Sequence, residues 1–221
     1  MTAFVSGDST FTDEAGNTQP LFDSPLIAQN SDGGVSVNTA ETGFGLNLTI
    51  EGDSPSTVFT DQEGSISDDI TSGGGNDLIN VGGGDDFVNG GDGGDFIFGG
   101  SGDDTIRGGK GADMIIGGQG ADVFIIQGDA EDGAFGADSD LTLDAQGNVL
   151  RDFIIDFDDS QDALILQDLG LPGGASVTYD SNTGSVTLTD DTSGVSRIIA
   201  QLQPGLEITV TEEDDGNFTL E

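Results

Sequence analysis

An aspartate stands at every ninth position from Asp77 to Asp122, and another, Asp68, lies one frame earlier. A regular file of carboxylates suits the coordination of a hard cation such as calcium, with backbone carbonyls completing the shell. The composition points the same way. The 221 residues include 42 acidic and 4 basic side chains, a net charge of −38. That charge disfavours nucleic acid and anionic membranes as partners and favours metal cations. Cys and His are both absent, which removes disulfides, thiol chemistry, zinc sites built on those residues and His-based triads. Hydrolysis by paired acids needs two carboxylates singled out in a cleft, and no pair stands apart. With no Trp and only Tyr179 there is little aromatic surface for a sugar to stack on, so the chain is expected not to be an enzyme.

The elements that must position these carboxylates follow from the same period. Residues 72–125 divide into six nonapeptides: SGGGNDLIN, VGGGDDFVN, GGDGGDFIF, GGSGDDTIR, GGKGADMII and GGQGADVFI. Glycine fills position 2 and position 4, the latter as Gly75, Gly84, Gly93, Gly102, Gly111 and Gly120. Position 6 is Asp77, Asp86, Asp95, Asp104, Asp113 and Asp122, and position 8 is a large apolar residue from Ile79 to Phe124. A flexible glycine-rich linker would explain the glycines but not the Asp and apolar columns. The block before, EGSISDDIT, keeps Gly64, Asp68 and Ile70 in register and reads as a degenerate first repeat.

Glycine allows a tight turn over positions 1 to 6. Positions 7 to 9 form a short strand whose middle residue points inward. Two blocks then make one coil, and block n stacks on block n+2. The fold class is all-β: a parallel β-roll, a right-handed β-solenoid, with β-strand capping segments at both ends. One edge carries Asp77, Asp95 and Asp113; the other carries Asp68, Asp86, Asp104 and Asp122. Each adjacent pair could clamp one cation with the position 4 carbonyls, giving about five sites or more. Like charges stacked about 4 Å apart repel by on the order of 4 kcal/mol at an effective dielectric near 20. The repeats are therefore expected to be disordered without calcium and to fold on binding it. Outward positions of the odd blocks (Leu78, Asn80, Phe96, Phe98, Met114, Ile116) form an apolar stripe, expected to be covered by a flanking segment or a second subunit.

These columns match the pattern G-G-x-G-x-D-x-U-x, and the sequence resembles the RTX family, the repeats-in-toxin modules of secreted bacterial proteases, haemolysins, lipases and alginate epimerases. The resemblance implies a calcium-binding β-roll and export by a type I route with an uncleaved C-terminal signal. The absence of a basic, apolar-cored leader in residues 1–10 agrees with that route, and no apolar run reaches membrane-span length. The tail EEDDGNFTLE loosely resembles family tails. The segment DFIIDFDDSQDALIL, residues 152–166, resembles the stretch that follows the repeats in RTX proteases, at Asp156, Phe157, Asp162 and Leu164. It implies a cap in which Asp156 and Asp162 hold a terminal calcium; as plain turn residues they are equally accounted for. An EF-hand fails there, with Gln161 and Gln167 at its glycine and glutamate positions.

The expected organisation is an N-terminal β-rich cap over residues 1–62, the roll over 63–125, and a C-terminal β capping and secretion region over 126–221. Residues 175–199 alternate as a hairpin around Asn182-Thr183-Gly184, and strands are expected near 35–39, 43–50 and 206–210. Three functions compete: a secreted calcium-binding protein of a surface or matrix, the calcium-folded secretion module of a larger protein, and an acid-based carbohydrate enzyme.

Overall fold

A computed structural model describes residues 2–5, 10–12, 18–20, 27–29, 34–38, 46–60, 65–128, 139–145, 147–171, 174–213 and 215–221; before residue 34 the backbone alone is described. The early strands are β1 (Thr2–Val5), β2 (Thr10–Thr12), β3 (Thr18–Pro20), β4 (Ile27–Gln29), β5 (Val35–Asn38), β6 (Asn47–Ile50), β7 (Thr57–Phe59) and β8 (Asp69–Thr71). The nonapeptides supply β9 (Leu78–Gly83), β10 (Phe87–Asp92), β11 (Phe96–Ser101), β12 (Thr105–Lys110), β13 (Met114–Gln119) and β14 (Val123–Gln127). Then come β15 (Asp152–Ile154), β16 (Ala163–Gln167), β17 (Ala175–Asp180), β18 (Ser185–Asp190), β19 (Ser196–Gln201), β20 (Val210–Glu212) and β21 (Phe218–Leu220). Among the described residues there is no helix.

The strands alternate between two sheets. One runs β20-β21-β16-β14-β12-β10-β8-β6-β1-β2-β3 and the other β17-β18-β19-β15-β13-β11-β9-β7-β5-β4. Pairing from β8 to β16 and from β7 to β15 is parallel, and Phe96 sits opposite both Leu78 and Met114. Block n therefore stacks on block n+2, and the chain forms the parallel β-solenoid read from the nonapeptide period. The strands are longer than that reading gave. β9 to β13 have 6 residues each because positions 1 to 3 of the following block stay in the ladder, as in the pairs Gly91–Gly109 and Gly100–Gly118. The turn is thus confined to positions 4 to 6.

The coils also continue on either side of the nonapeptides. Upstream, β5, β6 and β7 pair in parallel with the strands above them, with Val37, Leu48 and Val58 buried in the inward column. Downstream, Ile154 and Leu164 extend the column, and Phe157 lies against Phe124 with ring centroids 5.9 Å apart. Antiparallel strands finish both sheets: the hairpin of β17 and β18 joined to β19, and β21 against β16. The strand expected at 206–210 lies at Val210–Glu212, and the tail residues Phe218 and Leu220 are buried.

The apolar stripe of the odd blocks is not covered by any described element. Leu78, Phe96 and Met114 are 37%, 37% and 36% exposed, and Phe153 and Ile155 extend the same face downstream. Cover by a flanking segment is therefore corrected among the described residues: the C-terminal strands lengthen this sheet edge to edge instead of folding over it.

The closeness of the coils is set at position 4. A Cβ on Gly111 would lie 1.6 Å from the Gly93 carbonyl oxygen, with Gly111 at φ 140°, whereas Gly147, at φ 80°, has open space around it. Gly147→Ala incurs only the left-handed backbone penalty, about 1–2 kcal/mol. Gly111→Ala must also push neighbouring coils apart and is expected to lose more than about 3 kcal/mol. Denaturant titrations of both variants in saturating calcium check this; equal losses would show that the carbonyl contact has no weight.

Candidate metal centre

Position 6 follows the turn and precedes the strand, so each aspartate enters the roll at a sheet edge and is buried there. Asp77, Asp86, Asp95, Asp104, Asp113 and Asp122 are at most 3% exposed. One oxygen of each carboxylate has a fixed partner. The backbone N–H of Asp77 donates to Oδ1 of Asp95 at 2.8 Å, and that of Asp95 to Oδ1 of Asp113 at 2.8 Å. On the other edge Asp68 donates to Asp86 at 2.7 Å, Asp86 to Asp104 at 2.9 Å and Asp104 to Asp122 at 3.0 Å. Each edge thus carries a ladder in which every aspartate holds the coil before it.

The second oxygen is different. Oδ2 of Asp86, Asp95, Asp104, Asp113 and Asp122 is buried with no hydrogen-bond partner. A buried carboxylate oxygen left in that state is costly. Glycine at position 1 shows where four of these atoms point; in the block of Asp86 that position is Val81. A Cβ on Gly90 would lie 2.4 Å from Asp95 Oδ2 and 2.4 Å from the Gly108 carbonyl oxygen; on Gly99 it would lie 2.4 Å from Asp104 Oδ2 and 2.6 Å from the Gly117 oxygen. Glycine keeps this volume open, and a carboxylate and a carbonyl oxygen face into it together. No group of three acidic side chains converges among the described residues, so a cation shell here draws on backbone carbonyls as well as carboxylates. Oxygen-only donors of this kind fit calcium.

Burial pushes the carboxyl of Asp86 up to about 8, those of Asp95 and Asp104 to about 7 and that of Asp122 to about 6, from an ordinary 3.8. Asp113 and Asp152, which face each other, are both raised by burial first. Repulsion from neighbouring carboxylates contributes less than burial at every one of these groups, although it is the second influence on Asp152. The repulsion expected from the sequence is present, but the larger cost is removing the carboxylates from water, and the ladder N–H bonds offset part of it.

The position 4 glycines Gly75, Gly84, Gly93, Gly102, Gly111 and Gly120 all have positive φ, and the carbonyl oxygens of Gly75, Gly84, Gly93 and Gly102 press on the glycine one coil further on. Asp68 begins the second ladder; Leu46 N–H donates to its Oδ1 at 2.6 Å. Asp162 ends that ladder, accepting from Asp122 N–H through Oδ1 and from Asp158 N–H through Oδ2, each at 2.9 Å. Asp156 accepts from Gly117 and Gly118 N–H, each at 2.9 Å. Both acids therefore have each oxygen engaged by backbone, unlike the aspartates inside the ladders.

Asp152 was missed by the sequence reading. It ends the first ladder, with Asp113 N–H donating to its Oδ1 at 3.1 Å. The signal lay in the local triplet: Asp152-Phe153-Ile154 and Asp162-Ala163-Leu164 repeat the Asp-x-apolar order of positions 6 to 8.

The profile of the RTX calcium-binding nonapeptide repeat matches residues 64–97 and 89–124, in 4 copies. No curated protein matches the chain. Among solved structures, a subunit of the mannuronan C5-epimerase of Azotobacter vinelandii, determined in solution, is similar over 73% of this chain and 72% of that one, at 23% identity and a TM-score of 0.30. That likeness is too loose to bear on function; the repeat match and the coil geometry are not, and they identify this chain as the bearer of an RTX calcium-binding β-roll.

Proposed function

We propose that this chain is a secreted calcium-binding protein whose repeats fold on binding calcium, with a structural or interaction role at a cell surface or matrix. The observation that carries the reading is the row of buried Oδ2 atoms on Asp86, Asp95, Asp104, Asp113 and Asp122, each without a partner. Calcium bound there supplies the positive charge that burial denies these carboxylates. Asp77 and Asp68 share the ladders, Asp156 and Asp162 close an end, and about five ions remains the expected number. The division into residues 1–62, 63–125 and 126–221 is kept for function, the middle segment holding the aspartates from Asp68 to Asp122. Export by a type I route suits a chain that folds only where calcium is abundant. Circular dichroism in EDTA and then in calcium tests the reading: the β-signal is expected to appear with calcium, and an unchanged signal in EDTA would sink it.

A non-catalytic role is supported by the ladder itself. Its acids are buried and bound to backbone N–H groups, so they are not free to act as a paired acid and base. Use as the secretion module of a larger protein would draw on the same chemistry.

The pH dependence has a definite sign. A carboxyl whose folded-state value lies above its unfolded value holds a proton in the folded chain that the unfolded chain has released. Stability without calcium is therefore fully present below about 4 and is lost as pH rises through the folded values of about 6 to 8. For a rise from 3.8 to about 7 the effect is on the order of 4 kcal/mol per carboxyl. In EDTA, β-structure is expected to increase as pH falls from about 8 to about 4, protons taking over the neutralising role. Circular dichroism across that range checks it, and a loss of β-signal on acidification would contradict it.

The open sheet face suits a second copy of the chain. The outward positions Thr57, Phe59, Leu78, Asn80, Phe96, Phe98, Met114, Ile116, Phe153 and Ile155 carry no charge, in a chain of net charge −38. Two such faces can pack as stacked sheets without burying a carboxylate. Sedimentation in calcium is expected to show reversible dimers that Phe96→Asp abolishes; a monomer at all concentrations would leave the face without this role.

A further inference from the structure

In four of the nonapeptides position 1 is glycine: Gly90, Gly99, Gly108 and Gly117. The volume beside each receives the Oδ2 of its own block's aspartate, and beside Gly90 and Gly99 also the position 1 carbonyl of the next coil. The ladders do not start that way. On the first edge the earliest aspartate is Asp77, and position 1 of its block is Ser72. Ser72 is buried, and its hydroxyl donates to Asp77 Oδ2. On the second edge the earliest aspartate is Asp68. The residue at position 1 of its coil, opposite Val81 in the strand register, is Thr60. Thr60 is fully buried, and its hydroxyl donates to the Val81 carbonyl oxygen.

Each hydroxyl thus binds one of the two kinds of oxygen that face the open volume in the glycine blocks. At Ser72 the effect is clear-cut: Asp77 Oδ2 has a donor, whereas the corresponding atoms of Asp86, Asp95, Asp104, Asp113 and Asp122 have none; the second edge differs, because Thr60 donates to Val81 and not to Asp68. One column position further out, neither ladder has a carboxylate to continue with. Leu46 donates its N–H to Asp68, and Ser56 donates its own to Asp77 at 2.6 Å while its hydroxyl accepts from Val35 N–H at 3.1 Å.

We infer that Ser72 is a hydroxyl stop: it closes the N-terminal end of the first ladder with a hydrogen bond to Asp77 Oδ2, so that the calcium seats of that edge begin at Asp95. The inference rests on the calcium-binding reading above and deepens it. It makes Asp77 a calcium-independent end on which the calcium-dependent coils of that edge stack. A serine side chain at position 1 both fills the volume and satisfies the carboxylate; an alanine would fill the volume only, and a glycine would do neither.

The number of calcium ions held by the folded full chain, counted by native mass spectrometry, separates these cases. Ser72→Gly is expected to bind one ion more than the wild-type chain, and Ser72→Ala the same number as wild type. An unchanged count in Ser72→Gly, or an equal gain in both variants, overturns the inference. Should Ser72→Gly fail to fold in calcium, anomalous diffraction from calcium-loaded wild-type crystals decides the matter: calcium is expected beside Asp95 and Asp104 and absent beside Asp77, and a peak within bonding distance of Asp77 Oδ2 overturns it. A wild-type chain that binds no calcium at all would instead defeat the calcium-binding reading itself.

Discussion

The structure depends on placing a carboxylate where water cannot reach it. Each ladder aspartate enters the roll at the point where the turn becomes strand, and its two oxygens have separate duties. Oδ1 takes the backbone N–H of the aspartate one coil earlier and so fixes the register of successive coils. Oδ2 of the inner aspartates has no hydrogen-bond partner, and those of Asp95 and Asp104 face a carbonyl oxygen across a gap that glycine leaves open. The first duty is structural and is met by the chain alone. The second is not, and burial of an unsatisfied carboxylate oxygen is among the costlier defects a fold can carry. The oxygen open to calcium thus belongs to the same side chain that sets the coil spacing.

The inward column shows why the ladders matter so much. Each nonapeptide buries one large apolar side chain at position 8, from Ile79 to Phe124, and Val81 and Ile126 add a second to β9 and β14, so the apolar core is one or two residues wide per strand. A core that narrow cannot absorb several uncompensated carboxylates. The flanks are built on a wider base: Leu164 and Leu166 pack with Phe157, Phe218 and Leu220 at one end, and Val35, Val37, Leu48 and Ile50 gather at the other. Apolar burial is thus unevenly spread, and the segment richest in aspartate has the narrowest core.

The sequence made the nonapeptide coils legible because four columns held one period over six blocks, and period 9 with stacking at 18 leaves a single register. Where the spacing changed, the reading stopped. The upstream coils stack at intervals of 21 and 22 residues, as between Ser56 and Asp77 or Leu46 and Asp68, so β5 to β7 looked like a separate cap. Downstream, 39 residues separate Asp113 from Asp152, and the long interval hid the last rung of the first ladder. Asp156 and Asp162 stood out in the sequence but their distant partners did not, because backbone N–H groups that approach from 38 to 40 residues away leave no local pattern. The balance between burial and repulsion was not legible either, since it depends on how far each carboxyl is withdrawn from water.

A polar ladder buried in a solenoid must end somewhere, and each end must leave no rung dependent on a coil that does not follow. At the C-terminal end the chain supplies extra N–H donors: the loop around Asp158 folds back so that both oxygens of Asp162 are met, and Asp156 reaches across to Gly117 and Gly118. At the N-terminal end it supplies hydroxyls and then apolar or small residues, through Thr60, Ser72, Ser56 and Leu46. The two solutions differ because the ladder has a direction. Its N–H groups point toward later coils, so the last carboxylate already has its donor and needs only its second oxygen met. On the first edge the first carboxylate, Asp77, faces earlier coils, and the Ser72 hydroxyl meets its second oxygen. The direction of the hydrogen bonds thus determines which kind of side chain can close each end.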